Sequence, residues 1–497
     1  MKSRSSFPTN RVENDSPFWT LPQRTAPLYY SNTDPSLENN KQATNYESSE
    51  LAHKLDKLLD TGDLGAAEKL LKSNPQVAAN VVSLQNRDRW NKVFDAIERQ
   101  TAEAEETTEQ VNTRRMAEFP LTSKARDEMN NMYQTLRDLN QLQVFGAISS
   151  KLPPAAGSHA VRPSLLEDIT GIPMKALTPK PSNGLLYAGA AVAILEGILS
   201  LALNINLNFL VLSTLAFAAA DRLLLNGAIV ESGYKLFSPG LQTKIERHEA
   251  GHFLCAYLLG CPVEGCVLNA WAALRDSRFG MGRQVTAGTS FFDPALSDQI
   301  NSPARQVTRS SIDRYSIIVM AGIAAEAVYY GQADGGAGDE MALIAFLSQL
   351  NGPSPSEIPP WNNITIRNQA RWGALQAVLI LREYKACYEA LVEALEKGGT
   401  LGDCIYAIEK AARDNGLGPL REPVGYIIEH PGDVEEWRTE KPDNLNFTPA
   451  SAMEENLRTA PATNGSADPK ESLAKLNEYR KEMELKLAEI DKKLDSI

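Results

Sequence analysis

Two long apolar segments restrict the fold of this chain more than any other feature. Residues 184–203 read GLLYAGAAVAILEGILSLAL, residues 207–225 read LNFLVLSTLAFAAADRLLL, and a short uncharged turn separates them. Each segment is long enough to cross the hydrocarbon core of a bilayer as a helix. We therefore expect a transmembrane helical hairpin over residues 184–225.

Charged residues bear on this hairpin in two ways. Glu196, Asp221 and Arg222 lie within the apolar segments, which favours the alternative of a helical pair buried in a soluble domain, because charges are costly inside a bilayer. Positive charges flank the hairpin, and the positive-inside rule then keeps both chain ends on the cytoplasmic or stromal side. These positive charges are Lys175 and Lys180 before the hairpin, Arg222 near its end and Lys235 after it.

The rest of the chain divides by composition and periodicity. Apolar residues repeat at helical spacing in two runs, a Pro- and Gly-rich stretch precedes the hairpin, and apolar residues near the end repeat every seven positions. The helical runs contain Leu51, Leu55, Leu58, Leu59, Met129, Met132, Leu136 and Leu139, and the heptads contain Leu476, Met483 and Ile490. We expect a disordered or transit segment over 1–47, a helical module over 48–150, a linker over 151–183, a folded domain over 240–430, a second linker over 431–470 and a coiled-coil helix over 471–497.

Charge and cysteine content exclude some classes of function. The formal net charge is −12, which opposes nucleic-acid binding, because neutralising phosphates needs a clustered basic face. The five cysteines form no CxxC pair, which favours a reducing compartment over a disulfide framework. The first residues are rich in Ser, Thr, Pro and Arg, as in organelle transit peptides, although Glu13 and Asp15 also fit a plain disordered tail.

The segment ERHEAGHFLC contains the chain's most specific chemical motif. His248 and His252 are four residues apart, so a helix places both imidazoles on one face, where they can bind zinc. Glu249 lies beside this face, and its carboxylate can accept a proton from a water molecule that the metal activates. This arrangement is typical of metalloproteases. Gly251 weakens the middle of a helix and indicates close approach of another part of the chain.

A catalytic zinc site needs a third protein ligand. The metzincin extension of the motif would require Gly at position 255 and His at position 258, but these are Cys255 and Leu258. Acidic residues downstream and His430 remain as sources of the third ligand. Cys255 lies near the same helix face, where a buried core thiol is the simpler interpretation.

These residues resemble the FtsH-type zinc peptidases, whose signature is HEAGH on a helix after a membrane anchor. The segment 321–343, AGIAAEAVYYGQADGGAGDEMAL, is similar to the second family motif, and the resemblance covers roughly residues 241–410. It implies a mainly α FtsH-like zincin domain with a small β element, with His248, His252 and Asp339 as zinc ligands and Glu249 as the catalytic base. Three roles stay open for Glu326: a hydrogen bond to a ligand histidine, replacement of Asp339 as ligand, or a purely structural contact. Small strands over 263–292 would line the cleft.

The chain also departs from that family. FtsH proteins carry an ATPase between membrane and peptidase, whereas only a short segment separates Leu225 from His248 and the chain has no GxxxxGK[ST] motif. It therefore looks like the ATPase-lacking FtsH-like proteins of plastids and cyanobacteria. This implies a chloroplast thylakoid or envelope membrane, a peptidase domain on the stromal side, and a homo-oligomer or association with FtsH subunits.

The expected function is ATP-independent cleavage of unfolded proteins or membrane-protein segments by a zinc metalloendopeptidase. The alternative is a catalytically silent scaffold or assembly factor that acts through its two terminal helical segments.

Overall fold

A computed structural model of the chain describes residues 35–103, 123–148, 161–180, 184–225, 227–238, 240–280, 287–301, 307–350 and 361–419. Within these ranges the protein is mainly helical and has one two-stranded sheet, as the sequence predicted. The expected transit segment before residue 35, the second linker, the coiled coil and His430 lie outside the described residues.

The N-terminal module contains five described helices. They are α1 (Pro35–Asp60), α2 (Leu64–Ser73), α3 (Pro75–Val81), α4 (Arg87–Ala102) and α5 (Lys124–Asp138). The first helix begins at Pro35 rather than near residue 48, and proline is well suited to a first helical turn, where no N–H is needed. The predicted apolar stripes face inward, with Leu55 and Met132 fully buried.

This module shares one hydrophobic core with the domain that follows the hairpin. Trp90 of α4 donates its indole N–H to the Gly402 carbonyl at 2.9 Å, and the Tyr133 hydroxyl of α5 donates to the Val263 carbonyl at 2.9 Å. Both rings are fully buried. The helical module therefore packs directly on the downstream domain.

The segment expected to be a linker over 151–183 is packed where it is described. Residues 161–180 contain the short helix α6 (Pro163–Thr170), which buries Leu166. Arg371 donates to the Val161 carbonyl at 2.8 Å, and Arg382 donates to the Thr170 carbonyl at 2.6 Å. Proline and glycine interrupt regular structure here, but interspersed apolar residues still attach the segment to the core.

The apolar segments form α7 (Gly184–Leu203) and α8 (Leu207–Leu224), which pack against each other and are followed by α9 (Ala228–Phe237). Helix α8 is long and apolar enough to cross a membrane, by length and composition. Asp221 is its only buried residue, whereas Leu212 and Leu223 are largely exposed. This exposure disfavours the alternative of a helical pair buried in a soluble core, whose apolar side chains would be covered.

The downstream domain is built on four packed helices and a two-stranded β-sheet. Its elements are α10 (Leu241–Leu258), β1 (Val263–Val267), α11 (Ala270–Arg275), α12 (Ser277–Gly280), β2 (Gly288–Phe291), α13 (Pro294–Asn301), α14 (Arg309–Tyr330), α15 (Ala337–Gln349), α16 (Asn363–Glu383), α17 (Lys385–Glu396) and α18 (Leu401–Asp414). Helix α14 lies between α10 and α16, and α17 packs on α10. The strands are antiparallel, with Thr289 opposite Cys266, and they confirm the predicted strands over 263–292.

Helices α10 and α14 approach closely at Gly251. A Cβ atom at this position would lie 2.6 Å from the Ala321 carbonyl oxygen and 3.0 Å from the Ala325 Cβ. The close approach that the mid-helix glycine predicted is therefore confirmed. It places the histidine face of α10 directly against α14.

Candidate metal centre

The two histidines of α10 converge on one carboxylate oxygen of α15. His248 Nε2 lies 2.9 Å from Asp339 Oδ2, and His252 Nε2 lies 3.5 Å from the same atom. The imidazole centroids are 4.8 Å apart, as expected for residues one helical turn apart on one face. The structure therefore brings together the three residues predicted as ligands.

Asp339 reaches the site from the first turn of α15. The turn before it passes through Gly336, whose φ of 89° is in the left-handed region that favours glycine. The backbone N–H groups of Asp334 and Gly335 donate to Glu326 Oε2 at 2.7 and 3.1 Å. A carboxylate at a helix N-terminus is also favoured by the helix dipole.

Hydrogen bonds at the far ring nitrogens orient both imidazoles. His252 Nδ1 lies 2.7 Å from the Ile318 carbonyl oxygen, which can only accept, so Nδ1 carries the proton. His248 Nδ1 lies 2.7 Å from Glu326 Oε1, a carboxylate that likewise accepts. In the neutral tautomers this leaves both Nε2 lone pairs directed toward Asp339. Such outer partners are characteristic of histidines that bind metals.

The electrostatics of the cluster favour a cation. Burial by itself would lower the pKa of His248, but its hydrogen bonds to Asp339 and Glu326 raise that pKa well above its usual value. Burial by itself would raise the pKa of Asp339, but the two histidines lower it well below its usual range. The pKa of Glu326 is also lowered, by His248 and by two backbone N–H groups, against the effect of burial. The site therefore keeps ionised carboxylates around two imidazoles.

Three side-chain atoms of this cluster lie close enough together to share a metal ion. One oxygen and two imidazole nitrogens lie within 4.8 Å of one another. Tetrahedral zinc with bonds of about 2.0 Å would separate its ligand atoms by about 3.3 Å, between the two separations measured to Asp339. The group His248, His252 and Asp339 could hold a metal ion, with a fourth position left for water or substrate.

Glu249 lies beside the ligands and is held by β2. Thr289 Oγ1 donates to Glu249 Oε2 at 2.9 Å. Burial raises the pKa of Glu249, while the two histidines lower it.

No protein-family model and no curated protein matches this chain. The function is therefore inferred from the arrangement of these side chains.

Sequence reasoning did not identify Thr289 as part of the site. Its alternating neighbours in TAGTSFF indicate a strand, but only the pairing of β2 with β1 and its contact with α10 show which face meets Glu249. Cys255, by contrast, is a fully buried core thiol whose pKa is raised by burial, as the simpler interpretation predicted.

A buried ion pair connects the two-stranded sheet to the N-terminal module. Arg126 Nε of α5 donates to Glu264 Oε1 of β1 at 2.5 Å, and both side chains are buried. Ser290 of β2 donates to the other oxygen of Glu264 at 2.6 Å. A lone glutamate in the apolar run PVEGCV is the sequence signal for such a contact. The strand that carries Thr289 is thereby held by the helical module.

Proposed function

We propose that this chain is a membrane-anchored zinc metalloendopeptidase that cleaves unfolded proteins or membrane-protein segments without ATP. The observation that carries the proposal is the convergence of His248 Nε2 and His252 Nε2 on Asp339 Oδ2, with the buried Glu249 alongside. Two imidazoles, one carboxylate and an adjacent general base form a donor set suited to catalytic zinc.

Zinc bound here would supply a Lewis acid that polarises a peptide carbonyl and activates water. Glu249 accepts the proton from the attacking water and then delivers it to the leaving amine. Burial raises its pKa toward neutrality, which suits a group that must both accept and donate a proton. Thr289 orients the carboxylate through its hydrogen bond to Oε2.

The remaining residues position the ligands. Ile318 and Glu326 of α14 hold the two imidazoles, and Glu326 also holds the loop before Asp339. Rigid outer partners of this kind reduce the reorganisation needed when the metal and the substrate bind.

The proposed membrane location of the enzyme rests on the apolar helices over residues 184–225 and on the family resemblance. The apolar helix α8 supports a membrane anchor. The order of the motif HEAGH, the segment 321–331 and Asp339 supports an FtsH-like peptidase that lacks its ATPase. In that case the membrane is a chloroplast thylakoid or envelope membrane, and the peptidase domain faces the stroma.

The test is cleavage of an unfolded model protein by the detergent-solubilised chain in the absence of ATP. Glu249→Gln should bind zinc stoichiometrically and lose cleavage, because only the general base is removed. A chelator should abolish cleavage, and added zinc should restore it. Glu246→Gln is the matched control, since Glu246 is a buried glutamate of the same helix that accepts from Gln242 at 2.8 Å.

Two results would contradict the proposal. Cleavage by Glu249→Gln at the wild-type rate would exclude Glu249 as the base. Wild-type protein with one zinc per chain but no cleavage would favour the scaffold alternative.

A further inference from the structure

We propose that Ile229, Val230 and Trp271, here called the α9–Trp271 surface, lie in the headgroup region of the membrane that α8 crosses. This inference rests on the membrane anchor in the proposed function. It adds a second contact with lipid, outside the hairpin, which would fix the height of the metal centre above the bilayer.

The side chains of the α9–Trp271 surface are exposed. Ile229 and Val230 face solvent from the first turn of α9, and Trp271 at the start of α11 is 41% exposed. Leu223 and Leu224, the last residues of α8, are also largely exposed. The apolar surface therefore continues from the end of the candidate span onto the next helix.

The other side of α9 is occupied by the protein. Glu231 Oε2 accepts from the Ala270 backbone N–H at 3.1 Å, and Lys235 Nζ donates to the Leu268 carbonyl at 3.3 Å. Lys235 also pairs with Glu231 at 2.7 Å. Polar residues thus attach α9 to Leu268 and to the first residue of α11, which leaves Ile229 and Val230 on the outer side. A short helix with an apolar outer side and a polar side bound to the protein is suited to a membrane interface.

Trp271 is partly exposed and has a polar edge, as tryptophans at membrane interfaces do. Its indole N–H donates to Ser232 Oγ of α9 at 3.0 Å, so the polar edge of the ring is satisfied by the protein. Part of the side chain remains exposed. Tryptophan is enriched where a membrane meets water, because one edge of its ring is polar and the body is apolar.

The junction between α8 and α9 is held by Asp221. Its two carboxylate oxygens accept from the backbone N–H groups of Ile229 at 3.1 Å and Val230 at 3.0 Å. The backbone turns at Gly227, whose φ is 81°. Asp221 therefore caps α9 from the end of α8, so α9 begins where the apolar span ends.

This placement has a consequence for the substrate. Helix α10 starts shortly after α9, and His248 lies about 10 Å of helical rise from Leu241. A membrane contact at α9 would keep the metal centre near the bilayer surface. Segments of membrane proteins that emerge from the bilayer are then the substrates within reach.

Spin labels at three exposed positions of the full chain, reconstituted in phosphatidylcholine vesicles, test the proposal. Val230→Cys reports the α9–Trp271 surface, Leu212→Cys reports the middle of α8, and Ile364→Cys is the matched control on α16. These side chains are 41%, 68% and 59% exposed. The unsubstituted chain, labelled in parallel, supplies the background from the native cysteines, of which only Cys266 is not buried.

The measurement compares two collision rates of each spin label. One is with oxygen, which concentrates in the bilayer, and the other is with a water-soluble nickel chelate; the ratio is the oxygen rate divided by the chelate rate. At Val230 we expect a ratio several-fold above that at Ile364 and below that at Leu212. A ratio at Val230 equal to that at Ile364 would overturn the inference, as would a label shielded from both reagents, which would indicate a protein partner. If Leu212 is also aqueous, the membrane anchor of the proposed function fails too, whereas the zinc chemistry is tested separately.

Discussion

Glu326 contacts His248 with one carboxylate oxygen and the loop before Asp339 with the other. Oε1 lies 2.7 Å from His248 Nδ1, while Oε2 accepts from the backbone N–H groups of Asp334 and Gly335. One buried side chain of α14 therefore sets the positions of two candidate ligands that come from different helices. The geometry of the candidate metal centre therefore depends on this carboxylate.

Glu326→Gln should weaken zinc binding about 10- to 100-fold, the range typical of an outer-shell partner. The amide oxygen can accept from either the imidazole or the loop, but the amide nitrogen is a donor and cannot replace the second acceptor. Competition with a chelator of known affinity measures the change. Glu340→Gln is the control, because Glu340 follows Asp339 but lines a separate cavity with Met320 and Arg371. Equal zinc affinity in both variants would contradict the positioning role.

Gly322→Ala should displace His248 and reduce zinc affinity by on the order of tenfold or more. A Cβ atom at Gly322 would lie 2.5 Å from His248 Cδ2 and Cε1, closer than packed carbon atoms approach. Gly338→Ala is the matched control in the first turn of α15, where a Cβ would meet nothing within 4 Å. Zinc content after dialysis separates the two variants, and retention of full zinc by Gly322→Ala would show that the site can rearrange.

Thr289→Val should lower kcat by about 10- to 150-fold, since a hydrogen bond to a charged group contributes about 1.5–3 kcal/mol. The hydroxyl lowers the pKa of Glu249 against the effect of burial, so its loss raises that pKa further. The carboxylate is the active form, and the acid limb of the pH–rate profile should therefore move to higher pH. Thr289→Ser should restore both the rate and the profile, with zinc content unchanged throughout. A purely structural role would leave the acid limb where it is.

Arg126→Met should destabilise the fold by about 3–5 kcal/mol, because it leaves a buried carboxylate without its cation. The Glu264 carboxylate is fully buried and would keep the hydrogen bond from Ser290 and a weaker electrostatic interaction with Arg278. The exposed pair Lys54–Glu50 provides the comparison, and Lys54→Met should leave the urea midpoint nearly unchanged, because solvent screens this pair. Urea unfolding of the solubilised chain measures both. Similar midpoints for the two variants would mean that the buried pair contributes no more than a surface pair.

Local patterns in the sequence determined the elements of this protein. Three such patterns are the spacing of His248 and His252, the length of the apolar segments and the mid-helix Gly251. Each can be recognised within one continuous stretch of sequence, without knowledge of which distant residues pack against it. The structure shows each feature on a helix, with α14 packed against Gly251. Asp339 was identified only through the resemblance to a known family, since no spacing rule connects it to α10.

Tertiary structure decided which distant side chains meet. Thr289 reaches Glu249 because β2 pairs with β1 beside α10. Arg126 reaches Glu264 because α5 contacts the same two-stranded sheet. Residues 161–180 resemble a linker in composition but are held by arginines of α16. These contacts join segments far apart in the chain, so their partners depend on how helices pack and not on local periodicity. The sequence by itself therefore determined the helices and the candidate metal-binding motif, whereas packing decided how Glu249 and Asp339 are held.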